Sequence, residues 1–193
     1  MDAYATQPGK GLGRIKYKDI NSDGIVNDLD RDFIGDNSPK YTYGLNVSLS
    51  YKSFDLSFFL QGINVDVVND FKTYTDFSSL WTGTNWGSRT MDAWSPSNLS
   101  SSIPALTLVD RNNEGRFSTY FIENGSYLKL RNVQLSYNLK KALNLKIQNL
   151  RVFVQGSNLF TIKSKAFTGT DPEIPNYGFP VPVVGTIGVN ITL

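Results

Sequence analysis

From Tyr41 to Tyr51 the chain alternates without a break. Tyr41, Tyr43, Leu45, Val47, Leu49 and Tyr51 share one side, and Thr42, Gly44, Asn46, Ser48, Ser50 and Lys52 share the other. Alternation with period two is the signature of a strand, because helical spacing cannot keep such a set on one face. After Lys52-Ser53 the pattern restarts. Leu56, Phe58 and Leu60 face one way and Asp55, Ser57 and Gln61 the other, with Phe59 the exception. Two long runs joined by almost nothing predict a β-hairpin over Tyr41–Gly62. A third strand is predicted over about Tyr127–Leu139, with Val133, Leu135, Tyr137 and Leu139 opposite Asn132, Gln134, Ser136 and Asn138. Lys129 and Arg131 fall on its apolar side, so that end is expected in water. A fourth covers about Leu150–Phe160, and a fifth Gly185–Leu193, where Ile187, Val189, Ile191 and Leu193 alternate with Thr186, Gly188, Asn190 and Thr192.

Strand length and connection length carry further information. Globular strands average about 5–6 residues, whereas a tilted strand crossing a bilayer needs about 9–11. The connections at Lys52-Ser53 and Lys140–Asn149 are short, and those over 64–125 and 161–184 are long. Short turns at one end and long loops at the other are the arrangement of an outer-membrane barrel, with the short turns periplasmic. The predicted fold class is therefore all-β: an antiparallel meander of about five long strands, part of a large transmembrane β-barrel. Its long outer loops are expected to hold short helices over Asp70–Leu80 and Ser88–Trp94, broken by Ser95-Pro96 and Ile103-Pro104. Residues 1–40 are expected as an outer loop segment and 41–193 as the barrel strands. A soluble sandwich with one wet face is the competing reading of the alternation.

Composition narrows the function. Of 193 residues, 40% are hydrophobic, 13% aromatic and only 19% charged, which suits a β-protein with one polar and one apolar face. The net charge of +2 comes without any basic run, so nucleic-acid binding is not expected. Cysteine and histidine are both absent. Disulfides and thiolate sites are excluded, the usual general base and transition-metal ligand are missing, and the chain is not expected to be an enzyme. No apolar run is long enough for a transmembrane helix. The opening MDAYATQPGKGLGR lacks the signal-peptide core expected of a secreted or outer-membrane protein, so either Met1 is an imposed start or the chain is a piece of something longer.

One stretch has recognisable local chemistry. Residues 19–30, DINSDGIVNDLD, fit the calcium-loop pattern D-x-[DN]-x-[DN]-G. Asp19, Asn21 and Asp23 would offer side-chain oxygens, Gly24 the sharp turn, Ile25 its carbonyl and Asn27 a contact through water. Asp30 stands where Glu is usual, so bidentate closure is weaker. The six aspartates between 19 and 36 repel one another unless Ca2+ or solvent screens them. Expected is a structural Ca2+ that pins an outward segment just before the first strand; a polar loop of Asx-turns without metal is the alternative. Elsewhere, Trp81, Trp86 and Trp94, with Tyr74 and Phe77, offer either ligand or partner contact in the outer loop or packing of that loop on itself. Asp171 and Glu173 flank Pro172 and read as a turn without a positioned partner.

The segments GRIKYKDINSDGIVNDLDRDFIGDNSPKYTYGLNVSLSYKSFDLSFFLQG, MDAWSPSN, NGSYLKLRNVQLSYNL, LRVFVQGSNLFT and GTIGVNITL, in that order and spacing, resemble the C-terminal part of SusC/RagA-family TonB-dependent outer-membrane transporters. The resemblance implies a plugged barrel of roughly 22 strands in the outer membrane that imports oligosaccharides or other large nutrients. It implies as partners the upstream barrel and plug, a SusD-like surface lipoprotein, the TonB complex acting through an N-terminal region, and outer-membrane lipid. Ser48, Ser50, Gln134, Ser136 and Asn190 would then line the interior. The plug, the TonB box and the usual terminal aromatic are not found, and the last residue is Leu193. The alternative is a soluble calcium-binding β-domain of lectin or adhesin type. A closed two-layer core beneath the apolar faces would favour it.

Overall fold

The computed structural model describes residues 5–78, 80, 83–144 and 146–192. The chain divides into two compact units: Met1–Asp36, Val68–Glu123 and Pro175–Tyr177 form one, and Asn37–Val67, Asn124–Ile174 and Gly178–Leu193 the other.

The second unit is a sheet. Its strands are β1 (Tyr41–Tyr51) and β2 (Phe54–Asn64), then β5 (Tyr127–Asn138), β6 (Asn149–Ser157), β7 (Thr161–Lys163) and β8 (Val184–Thr192); the short strands β3 (Asp66–Val68) and β4 (Ile122–Asn124) lie where the chain passes between units. The long strands run in the order β1-β2-β5-β6-β8, all antiparallel, with β7 pairing β5. The meander of five long strands read from the alternation is therefore present. Register keeps the faces continuous: Leu49, Leu56, Leu135, Val154 and Ile187 form one rung across all five strands. The next residues along, Ser48, Ser57, Gln134, Gln155 and Thr186, form a polar rung on the other face. Phe59, the exception in the pattern, lies on the polar face beside Gly44, where its ring takes the space that a side chain would fill. Tyr43 does the same over its cross-strand partner Gly62.

No second layer covers the apolar rungs among the described residues. Leu45 is 54% exposed, Val154 49% and Ile187 84%. The unit's buried apolar cluster is small, Val65, Val67 and Phe167 with Ile63 against them. Aromatic side chains bracket the apolar band. Tyr41 and Tyr43 lie at one end with ring centroids 6.2 Å apart, and Phe54 and Tyr137 at the short-turn end 4.7 Å apart.

One irregularity re-aims side chains. Phe59 pairs with Asn132, but Leu60 pairs with Leu130, so Arg131 is an extra residue in β5. Such a β-bulge shifts the parity of everything beyond it. The same level is broken again between β6 and β7, where Asn158 has φ +55°. The fourth strand, expected to Phe160, thus ends at Ser157 as β6, and the separate β7 begins at Thr161. The expectation that Lys129 and Arg131 share the apolar side and stand in water is overturned. Beyond the bulge Leu128 and Leu130 continue the apolar face, and Lys129 pairs with Gln61 on the polar one, 1% exposed.

The first unit is mostly irregular. The expected helices shrink to α1 (Lys72–Thr75), one turn without a side-chain cap, and a 3-10 segment over Ser88–Asp92. A single turn gains too little from its own hydrogen bonds to persist, so tertiary contacts hold it: Lys72 and Thr75 are both buried.

Candidate functional site

The acidic loop folds as a tight set of Asx-turns. Asp19 Oδ2 accepts from Gly24 N–H at 2.8 Å, Asn21 Oδ1 from Asp23 N–H at 3.0 Å, and Asp23 Oδ1 from Ile25 N–H at 2.8 Å. Ser22 and Gly24 both take left-handed φ to make the bend. Asn27 caps a 3-10 turn over Asp28–Asp30 in a capping box, and Asp30 accepts from the backbone of both Asn27 and Ile20. These donors hold the Asp30 carboxyl below its ordinary range, Asn27 N–H most of all. Asp19 Oδ1 is buried without a hydrogen-bond partner. Among the described residues no three acidic side chains form a ready-made ligand set; the ring read from the sequence draws also on Asn21, Asn27 and the Ile25 carbonyl. The loop is tied to its own unit by a parallel bridge between Thr6 and Ile25.

The rest of that unit is built on buried polar groups. Gln7 and Asn112 hydrogen-bond each other, Asn112 and Arg14 both donate to the fully buried Glu114, and Ile15 N–H donates to Glu114 at 2.9 Å. A second knot surrounds Asp76, 1% exposed, which accepts from Arg89 at 2.8 Å, Tyr120 at 2.7 Å and Thr75 at 2.9 Å. Burial, reinforced by the Asp76 charge, pushes the Tyr120 phenol well above its usual range. Lys72 stacks its ammonium 3.9 Å from the Tyr120 ring centroid. Trp94 lies over Gly13, where its ring takes the space that a side chain would fill and packs the unit. Trp86 is 38% exposed, and Trp81 lies outside the described residues. The unit also carries a stack of Tyr177 on Tyr74, centroids 3.8 Å apart.

On the polar face of the sheet a third cluster was missed in the sequence. Glu173 accepts from Lys129 Nζ and Tyr127 Oη, both at 2.5 Å, and from Arg131 through two guanidinium nitrogens. Arg131 Nε also donates to Gln61 at 2.6 Å. Asp171 lies 3.4 Å from Lys129 and caps its own loop by accepting from Glu173 N–H and Val181 N–H. Asp171 and Glu173 thus have positioned partners after all, and the loop after β7 is fastened to β5.

No family model matches the chain. Among curated proteins it is 31% identical over 163 residues to TonB-dependent receptor P3 of Formosa agariphila, covering 81% of this chain and 15% of that one. It is 30% identical over 161 residues to TonB-dependent receptor SusC of Bacteroides thetaiotaomicron, covering 82% of this chain and 15% of that one. TonB-dependent receptor P26 of Formosa agariphila aligns over the whole chain at 29% identity. In fold it matches a structure of the RagAB peptide transporter with a TM-score of 0.64 over 81% of the chain, at 23% identity. The segment is of the SusC/RagA type. It spans about a fifth or less of the curated relatives' length, and those relatives are receptors rather than enzymes.

In a SusC/RagA-type barrel the apolar rungs face lipid and the polar rungs face the interior. Lys129, Arg131 and the loop bearing Glu173 share the polar face of this sheet. Burial alone raises the Glu173 carboxyl. The hydrogen bonds from Arg131, Lys129 and Tyr127 outweigh it and bring it down to about 2. The Glu173 carboxylate is therefore ionised near neutrality, which suits a fixed joint rather than a proton-transfer site.

Proposed function

We propose that this chain forms part of the wall and outer loops of an outer-membrane importer of oligosaccharides or other large nutrients, driven by the TonB complex and working with a SusD-like surface lipoprotein. The observation that carries the reading is the uncovered apolar face with aromatic residues at both ends. Tyr43 to Tyr51 covers about 27 Å of strand at ~3.4 Å per residue, or roughly 21 Å once tilted, against an apolar belt of about 25 Å. A soluble β-domain needs a second layer over that face, and the described residues supply none. The polar face would line the interior around the plug, the outer unit would shape the mouth, and Trp86, with Trp81, would offer contact to ligand or lipoprotein. The test is the whole receptor. It is expected in the outer-membrane fraction as a heat-modifiable barrel, and deleting its gene should abolish growth on one class of polymeric nutrient. Recovery as a monodisperse protein without detergent would sink the reading.

The same reading gives the loop over 19–30 a structural Ca2+, held by Asp19, Asn21, Asp23, the Ile25 carbonyl, Asn27 and Asp30. The orphaned Asp19 oxygen and the preset turns favour a hard cation. The ion would supply only rigidity. Chelation of the whole receptor is expected to speed tryptic cleavage at the exposed Arg31 about tenfold, and Asp19→Ala should be cleaved as fast with calcium present. Equal rates with and without chelator would count against the site.

A further inference from the structure

The short-turn end of the sheet bears a charge pattern that neither the fold nor the transport reading uses. Between β5 and β6 the chain makes a five-residue helix, α2 (Leu139–Leu143), capped by the Asn138 side chain on Lys141 N–H and closed by Asn144 in the left-handed conformation. This connection carries Lys140, Lys141 and Lys146 and no acidic residue. The hairpin turn beside it carries Lys52. The two turns are joined: Lys141 Nζ donates to the Lys52 carbonyl at 2.7 Å, and Asn138 N–H to the Ser53 carbonyl at 2.8 Å. Lys140 Nζ braces the same turn at the Gln148 carbonyl, 2.9 Å away. Each of these ammonium groups keeps further N–H donors for an outside acceptor.

The nearest acid does not neutralise the group. Asp55 is turned to the polar face, where it accepts from Ser50 Oγ at 2.6 Å and pairs with Arg151 at 3.2 Å. Next to Lys52 on the apolar, lipid-facing rung stand Tyr51 (71% exposed) and Phe54 (49%), with Lys52 lying 5.3 Å from the Tyr51 ring centroid, and Leu143 in the lysine-bearing turn is itself 62% exposed. Lysine stems beside exposed aromatic and aliphatic groups at the edge of an apolar band are placed to reach the headgroup layer. We propose that Lys52, Lys140, Lys141 and Lys146 form a collar for the phosphates of anionic phospholipid in the periplasmic leaflet. The occupant follows from the surroundings: the patch continues the lipid-facing surface, it is unrelieved by acid, and a basic cluster at a bilayer surface selects anionic headgroups. The proposal rests on the outer-membrane reading, which sets both the lipid and the side.

The test uses the whole receptor, extracted and placed in bilayer discs of equal parts phosphatidylcholine and phosphatidylglycerol, with tightly retained lipid counted by native mass spectrometry. About tenfold enrichment of phosphatidylglycerol is expected at low salt, falling towards unity when Lys52→Gln, Lys140→Gln, Lys141→Gln and Lys146→Gln are combined. The corresponding four Lys→Arg changes should keep the enrichment, which separates charge from turn geometry. Equal retention of the two lipids by the unmodified receptor, or undiminished enrichment in the glutamine variant, would overturn the collar while leaving the barrel intact. A receptor that retains no lipid of either kind and remains soluble would overturn the barrel reading and the collar with it.

Discussion

Glu173→Ala is expected to destabilise the whole receptor by about 3 kcal/mol, because it strands a lysine that the fold has taken out of water and takes the carboxylate from a half-buried arginine. Lys129 is 1% exposed, and among the described residues the acid left to it is Asp171, at the longer distance of 3.4 Å. Removing the carboxylate therefore costs more than the pair contributes when intact. The pH dependence follows from the carboxyl's position. Its pKa is lowered from 4.5 to about 2 by folding. The stabilisation is thus fully present above about 5 and is lost as pH falls towards 2, amounting to roughly 3 kcal/mol over that window. Glu173→Gln should remove this acid-side dependence and keep most of the packing. Denaturant midpoints measured between pH 7 and pH 3 check both statements. A contrast is available in the same unit. Lys40 and Asp66 form an ion pair at 2.8 Å with side chains 63% and 38% exposed, and Asp66→Asn should cost under about 0.5 kcal/mol. Equal effects at Glu173 and Asp66 would show that the buried cluster has no special weight.

That cluster also shows where the sequence was legible and where it was not. The five long strands and their two faces could be read because burial on one side imposes alternation, and alternation survives in any register. The bulge at Arg131 left a trace that was passed over. Leu128 and Leu130 occupy even positions, whereas Val133, Leu135 and Tyr137 occupy odd ones. A strand cannot change parity without an extra residue, so a bulge between 130 and 133 was written in the pattern, and with it the turning of Lys129 away from the apolar side. The partners of Glu173 left no such trace. They lie 42 and 44 residues away, and only the pairing of β5 with β2 and β7 brings them together. The first unit was the least legible part. Its order comes from buried polar side chains such as Glu114 and Asp76, whose hydrogen-bond partners mix near neighbours with residues as far off as Arg14 and Tyr120 and follow no period. The aspartates of residues 19–30 were legible as a loop because Asx-turn chemistry is local.

Val47→Arg is expected to cost about 2–4 kcal/mol in a bilayer, and Ser48→Arg, one residue along the same strand, less than about 1 kcal/mol. Val47 lies midway between Tyr43 and Tyr51, and its rung runs through Phe58 and Val133. On the proposed outer-membrane reading an arginine there has no water within reach and, among the described residues, no acid on its rung; it must distort the bilayer or the strand to keep its charge solvated. Ser48 points to the opposite side, opposite Ser57, where water and polar groups accommodate a charge. Depth adds a second contrast. Tyr51→Arg, at the headgroup level, should cost about 1 kcal/mol or less, because the guanidinium can reach phosphate. The prediction is therefore a profile across three positions of β1, high at 47 and low at both 48 and 51, read from folding equilibria of the whole receptor in lipid vesicles. A flat profile across the three would be incompatible with a strand that divides lipid from a wet interior, because no other arrangement of this sheet ties the cost of one charge to both side and depth.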